Sequence, residues 1–174
     1  MSKTLVITGV GRGIGNALVH LAAQSGHRVY ALSRNIQNVL KTELFHPVSL
    51  DLIDEAAVID FSSRLKKEGI QIDALINNAG ALINKPFSET TTEDFEAVYR
   101  VNVFGLASLT RMLLPCIKKE GHVVNISSMG GIGGSSKFPG LAAYSSSKAA
   151  VNILTELLAE EYKNSGPAFN SLAL

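Results

Sequence analysis

Tyr144 and Lys148 stand four residues apart in a stretch of helical pattern, so both side chains fall on one helix face. A phenol beside an ammonium can act as a general acid–base. A free tyrosine titrates near ~10 and leaves roughly 0.1% phenolate at neutral pH. Bringing that value to neutrality takes about 4 kcal/mol, and one positive charge at ~4 Å supplies about that much at an effective dielectric near ~20. The N-terminus of the helix adds a smaller favourable contribution. Other chemistries find less support. The four histidines, His20, His27, His46 and His122, are scattered with no ligand spacing, which argues against a metal site. The only cysteine, Cys116, follows Pro115 in an apolar stretch and reads as a core thiol.

A Tyr-x-x-x-Lys pair is common on helix surfaces, so its meaning depends on the elements that hold it. Short apolar runs at 4–8, 28–33, 47–50, 74–77, 122–127 and 168–174 alternate with helical patterns near 13–25, 54–67, 93–119 and 143–164. Most of the short runs are continuously apolar, as parallel strands covered on both faces require. This alternation predicts an α/β domain with a doubly wound parallel sheet, a Rossmann-like three-layer αβα arrangement. At 174 residues, with no repeat or linker, the chain reads as a single domain over 1–174. Sixteen basic residues against fifteen acidic ones leave no charge for a nucleic-acid binder. The apolar run at the amino terminus is too short for a signal peptide or a membrane span. A lone cysteine and no membrane segment fit a soluble protein of a reducing cytoplasm.

The first predicted strand runs into Thr8-Gly9-Val10-Gly11-Arg12-Gly13-Ile14-Gly15, and a helix follows. Glycines there allow a tight turn and a close backbone approach to a pyrophosphate, with free N–H groups of the helix N-terminus behind it. The spacing is Thr-Gly-x-x-x-Gly-Ile-Gly, because the sixth place counted from Gly9 is Ile14 and not glycine. Further motifs follow in order: Asn77-Asn78-Ala79-Gly80 at the fourth strand end, Asn102 in the next helix, Asn125-Ile126-Ser127-Ser128 at the fifth strand end, and then Tyr144 to Lys148.

Together these motifs resemble the short-chain dehydrogenase/reductase family in its compact single-domain branch, over essentially the whole chain. The resemblance implies an oxidoreductase that moves a hydride between a nicotinamide cofactor and a carbonyl or secondary alcohol. Tyr144 would be the acid–base, Ser128 the donor to the substrate oxygen and Lys148 the holder of the ribose hydroxyls. Asn102 would bond a water linking Lys148 to solvent, or else be a packed helix amide. Cofactor contacts are expected from Gly9, Arg12, Gly13, Ile14, Gly15, Arg34, Asp51, Leu52 and Asn78, together with Tyr144 and Lys148. Asp51 would accept from the adenine amino group, although a carboxylate that satisfies local turn donors reads equally well. Asn77 reads as structural, and Ser127 points to the other strand face from Ser128. No Asp or Glu occurs between Gly26 and Lys41, while Arg34 ends the second strand and Arg12 sits in the glycine turn, so NADP(H) is expected over NAD(H).

Two departures stand out. Ser128 lies sixteen residues before Tyr144, three more than is typical of the family, and the stretch Met129 to Gly140 carries five glycines. It reads as a long loop that reshapes the pocket rim, with Met129 and Phe138 as substrate-lining candidates. The chain also stops at Leu174, where the family continues, so it reads as lacking a C-terminal strand and a substrate-covering segment. Substrate identity is therefore open among carbonyl compounds. The competing class is a non-catalytic NADP-sensing or regulatory protein on the same fold. Relatives pack the faces of the helices at 93–119 and 143–164 across a two-fold axis, which implies a homodimer or homotetramer.

Overall fold

A computed structural model describes residues 1–36 and 44–174. Six parallel strands form one sheet: β1 (Thr4–Thr8), β2 (Arg28–Ser33), β3 (Phe45–Ser49), β4 (Ile72–Asn77), β5 (Ile117–Ser127) and β6 (Ala168–Ala173). Their order in space is β3-β2-β1-β4-β5-β6, so the winding reverses between β1 and β4. In such sheets the crevice beyond the carboxyl ends at this reversal is where ligands bind. The helices are α1 (Gly13–Gln24), α2 (Glu55–Lys67), α3 (Thr92–Tyr99), α4 (Leu106–Leu113) and α5 (Ala142–Tyr162).

The continuous apolar runs have the expected cause. Successive residues of a strand point to opposite faces, and both faces are covered. In β1, Val6 joins a cluster with Phe61, Leu65, Leu109 and Leu113 from α2 and α4, whereas its neighbour Ile7 packs with Val19 and Ala22 of α1. Cys116 is buried in the first cluster, and burial pushes its thiol up from the usual range. Helix starts follow the local chemistry. Asp54 caps α2 by accepting from Ala57 N at 3.1 Å, and Thr91 with Asp94 forms a reciprocal capping box on α3.

The helix predicted over 93–119 is not one piece. After α3 the chain makes a π-helical turn over Arg100–Gly105, resumes as α4, and ends in a 3-10 turn over Leu114–Cys116. A side chain at Gly105 would lie 2.8 Å from Leu52 Cβ, so the chain is pressed there against the segment after β3. Pro115 then removes an amide that a continuing helix would use. Ile117 turns extended and pairs with Ile72, and Lys118 Nζ meets Asp73 Oδ1 at 2.7 Å at the foot of β4. Strand β5 accordingly begins five residues before the predicted 122, and the register shifts between Ile72 and Ala74. Strand β3 is Phe45–Ser49, not 47–50, and leaves Leu50 just beyond its end.

A buried polar chain ties sheet to helices. Asn77 Nδ2 donates to Thr110 Oγ1 at 2.9 Å and to Asn125 Oδ1 at 2.8 Å, and Asn125 Nδ2 donates to Thr155 Oγ1 of α5 at 2.8 Å. Asn77 is thus structural, as its sequence context suggested. Asn125→Ala should orphan groups on both sides and lower the unfolding free energy by about 1–3 kcal/mol in urea denaturation. A loss below about 0.5 kcal/mol would contradict the load assigned to this chain of amides.

Candidate active site

The cofactor side of the site begins where β1 ends. Gly9 has φ of +72°, donates its N–H to Leu32 O at 2.8 Å, and lies so near β4 that a Cβ would sit 2.7 Å from Ala79 Cα. Both facts demand glycine. Thr8 Oγ1 accepts from the backbone N–H of Asn78 at 3.0 Å and of Ala79 at 2.9 Å. Asn78 Nδ2 returns two bonds, to Thr8 O and Gly9 O, each at 3.0 Å. Gly15 lies beneath the turn, where a Cβ would come within 2.5 Å of Asn78 Nδ2. Asn78 therefore reaches the cleft by clamping the glycine turn.

Above this clamp lies a cleft of about 570 Å³. Of the residues expected to hold the cofactor, Gly9, Arg12, Gly13, Ile14, Arg34, Asp51, Leu52 and Asn78 line it, and Gly15 supports it from below. Arg12 precedes α1 without a side-chain cap, and the first turn of that helix carries no acidic residue. The first N–H groups of α1 are thus left for an anion. Asp51 faces the cleft while its Oδ1 accepts from Ile53 N at 3.2 Å, so the carboxylate also serves its own turn. Thr8, Ser33 and Val101 line the cleft as well and were missed in the sequence reading. Thr8 opens the glycine motif and Val101 precedes Asn102, so adjacency to a motif was the available signal.

The second half of the site is built on α5. Lys148 is buried to 3% exposure, and its Nζ donates to Ile126 O at 2.7 Å. That ammonium lies 5.8 Å from the centroid of the Tyr144 ring. Burial pulls Lys148 down from the usual lysine value to about 8. Ser127 turns inward and donates to Lys148 O at 3.2 Å, whereas Ser128 is half-buried and its Oγ accepts from Gly130 N at 3.3 Å. The two serines diverge as strand geometry requires. The turn Met129–Gly131 packs directly on α5: a Cβ at Gly130 would meet Ser145 Oγ, and one at Gly131 would meet Ala149 N, each at 2.7 Å. Ser128 is thereby held against the turn of α5 that carries Tyr144.

The two halves meet at Gly80, which lines the cleft; a Cβ there would lie 3.4 Å from Asn102 Oδ1 and 3.7 Å from Lys148 Nζ. Asn102 itself is fully buried, and its amide is occupied by Ala81 N at 2.7 Å, Ala81 O at 2.9 Å and Ser147 Oγ at 2.9 Å. Of the two loop candidates, Met129 is 44% and Phe138 55% exposed. The loop is tied at its far end, where Lys85 N donates to Gly140 O at 3.0 Å. Among the described residues no cluster of three or more His, Cys, Asp or Glu could hold a metal, and no helix is long and apolar enough to cross a membrane.

Residues 3–174 match the short chain dehydrogenase family model. The chain belongs to that family. Oxidoreductase BOA17 of Botryotinia fuckeliana (strain B05.10) is 33% identical over 174 residues, which is 95% of this chain and 62% of that protein. The chain thus spans less than two thirds of that relative. Among solved structures, 4-hydroxyisoleucine dehydrogenase complexed with NADH aligns at a TM-score of 0.89 and 29% identity, over 99% of this chain and 74% of that one. ElxO with NADP bound aligns at 0.87 and 30%, over 99% and 73%.

The buried lysine makes a linkage prediction. Its folded-state value of about 8 lies below the ordinary 10.5, so the ammonium costs stability below pH 8 and the cost fades as pH rises through 10.5. The ceiling on that cost is about 3 kcal/mol, partly offset by the bond to Ile126. Lys148→Met should melt higher than the wild type at pH 7, with the gap closing by pH 10 in paired thermal scans. Equal melting at both pH values would refute the assignment.

Proposed function

We propose that the chain is an NADP(H)-dependent oxidoreductase that interconverts a carbonyl compound and a secondary alcohol, with Tyr144 as its acid–base. The observation that carries this reading is a desolvated Lys148 ammonium beside the Tyr144 ring, adjoining a cleft that ends at an open helix N-terminus. The glycine cradle fits a pyrophosphate, because Gly9 and Gly15 let the turn close on Asn78 and Ala79 beneath it while Gly11 and Gly13 border the cleft without side chains. Bound there, the nicotinamide would exchange a hydride with the substrate carbon.

The rest is the work of this chain's residues. Tyr144 donates its phenolic proton to the substrate oxygen as negative charge develops, and recovers it in the reverse direction. The Lys148 charge lies 5.8 Å from the centroid of that ring, where it stabilises the negative charge that proton transfer leaves behind. Ser128 holds the same substrate oxygen by a hydrogen bond. Lys148 holds the nicotinamide ribose, and Asn102 keeps the strand-end turn in place. The retention of Asn102, Ser128, Tyr144 and Lys148 speaks against a purely NADP-sensing role. Apolar side chains on the outer helical surface, Phe104 at 62%, Ile153 at 57% and Leu157 at 63% exposure, support a homodimer or homotetramer.

Tyr144→Phe should keep NADPH binding and lose about 10²–10⁴-fold in turnover across a panel of ketones, followed by NADPH absorbance. Retained turnover would remove Tyr144 from the mechanism. The cofactor assignment rests on Arg12 and Arg34, both exposed at the cleft with no acidic residue at the strand end. NADPH should bind at least about tenfold tighter than NADH, and a double Arg12→Ala, Arg34→Ala variant should erase that preference. Equal affinities in the wild type would overturn it; one relative's structure holds NADH and another's NADP, so the titration is decisive.

A further inference from the structure

Between Tyr144 and Lys148 lies a third polar residue that the acid–base chemistry does not use. Ser147 is fully buried. Its hydroxyl donates to Tyr144 O at 2.7 Å and accepts from Asn102 Nδ2 at 2.9 Å. The same Asn102 amide grips Ala81 through both its N–H and its carbonyl. A continuous run of hydrogen bonds thus leads from Ala81, in the cleft wall, through Asn102 and Ser147 to the backbone of Tyr144.

This run matters because the start of α5 is weakly held by its own means. Leu141, at the N-cap, offers no side-chain cap, and the first turn holds no acidic residue. Helix rotation there is set from outside. Gly130 and Gly131 press on one side, and Ser147 with Asn102 fastens the other. A serine that back-bonds to its own helix is ordinarily neutral or mildly unfavourable. Here its second lone pair meets a buried amide that would otherwise lose a partner.

We propose that Ser147 is a positioning residue that fixes the angle of Tyr144 toward Lys148 and its distance from the cofactor cleft. The inference rests on the reading of Tyr144 as acid–base. A displacement of ~1 Å at a reacting group can cost about 10²-fold in rate, so loss of this tether should be visible in turnover.

The test compares Ser147→Ala with Ser147→Thr, which keeps the hydroxyl. The Ala variant should lose about tenfold or more in kcat while KM for NADPH stays within about twofold. In cofactor-free protein, the Tyr144 phenolate absorbance, taken as the difference from Tyr144→Phe, should have a midpoint displaced from that of the wild type. Thr should restore both. Wild-type kcat and midpoint in the Ala variant would overturn the proposal, as would a fall in melting temperature with an unmoved midpoint. Should Ser147→Ala fail to fold, the near-isosteric Ser147→Cys replaces it, and an unmoved midpoint there has the same force. A wild type without ketone turnover would sink the oxidoreductase reading, while the midpoint comparison would still decide the role of Ser147.

Discussion

Everything around the glycine turn depends on how closely two backbones approach at the crest of the sheet. Gly9 and Ala79 come together with no room for a Cβ between them, and Thr8 and Asn78 lock the approach with four hydrogen bonds. Side chain serves backbone in each of these bonds. Gly9 supplies the positive φ and the close approach that the turn needs, and the neighbouring strand end supplies rigidity. Beside this clamp α1 begins with no side-chain cap and no acidic residue in its first turn, which suits its N-terminus to an anion.

The half of the site carried by α5 is built on the opposite principle. Its charged group is deliberately expensive: Lys148 is held away from water and given one carbonyl, that of Ile126. A charge so placed acts on Tyr144 with little screening. Serines on either side of the strand end differ in their partners: Ser127 donates to the backbone of α5, and Ser128 accepts from the turn that follows it. Gly80 joins the two halves, since it borders the cleft and approaches both Asn102 and Lys148.

The sheet, its strand pairing direction and the cleft residues were legible because they leave local marks: continuous apolar runs, glycines at a turn, and amides at strand ends. The break in the 93–119 helix was not. Its π turn lies where Gly105 packs closely on Leu52, a residue far away in sequence whose position only the fold sets. Pro115 did mark the end of α4, yet the onset of β5 at Ile117 owes as much to the pull of Asp73 on Lys118. The contacts of Asn102 with Ala81 and Ser147 were hidden for a similar reason: which partner an amide finds is a tertiary fact. Ser147 itself looks in sequence like one of three interchangeable serines, and only burial separates it from its neighbours.

The parallel sheet has a kinetic corollary. Every ladder in it is parallel, so no strand pair can close through a local hairpin. The clamp of Asn78 on Thr8 joins residues 70 positions apart. Such pairings close long loops before they return any contact energy, and chains dominated by them fold slowly. The glycine turn thus acquires its shape only after the reversal between β1 and β4 has assembled. A nascent chain carrying α1 alone would display the glycine motif without the pocket it serves.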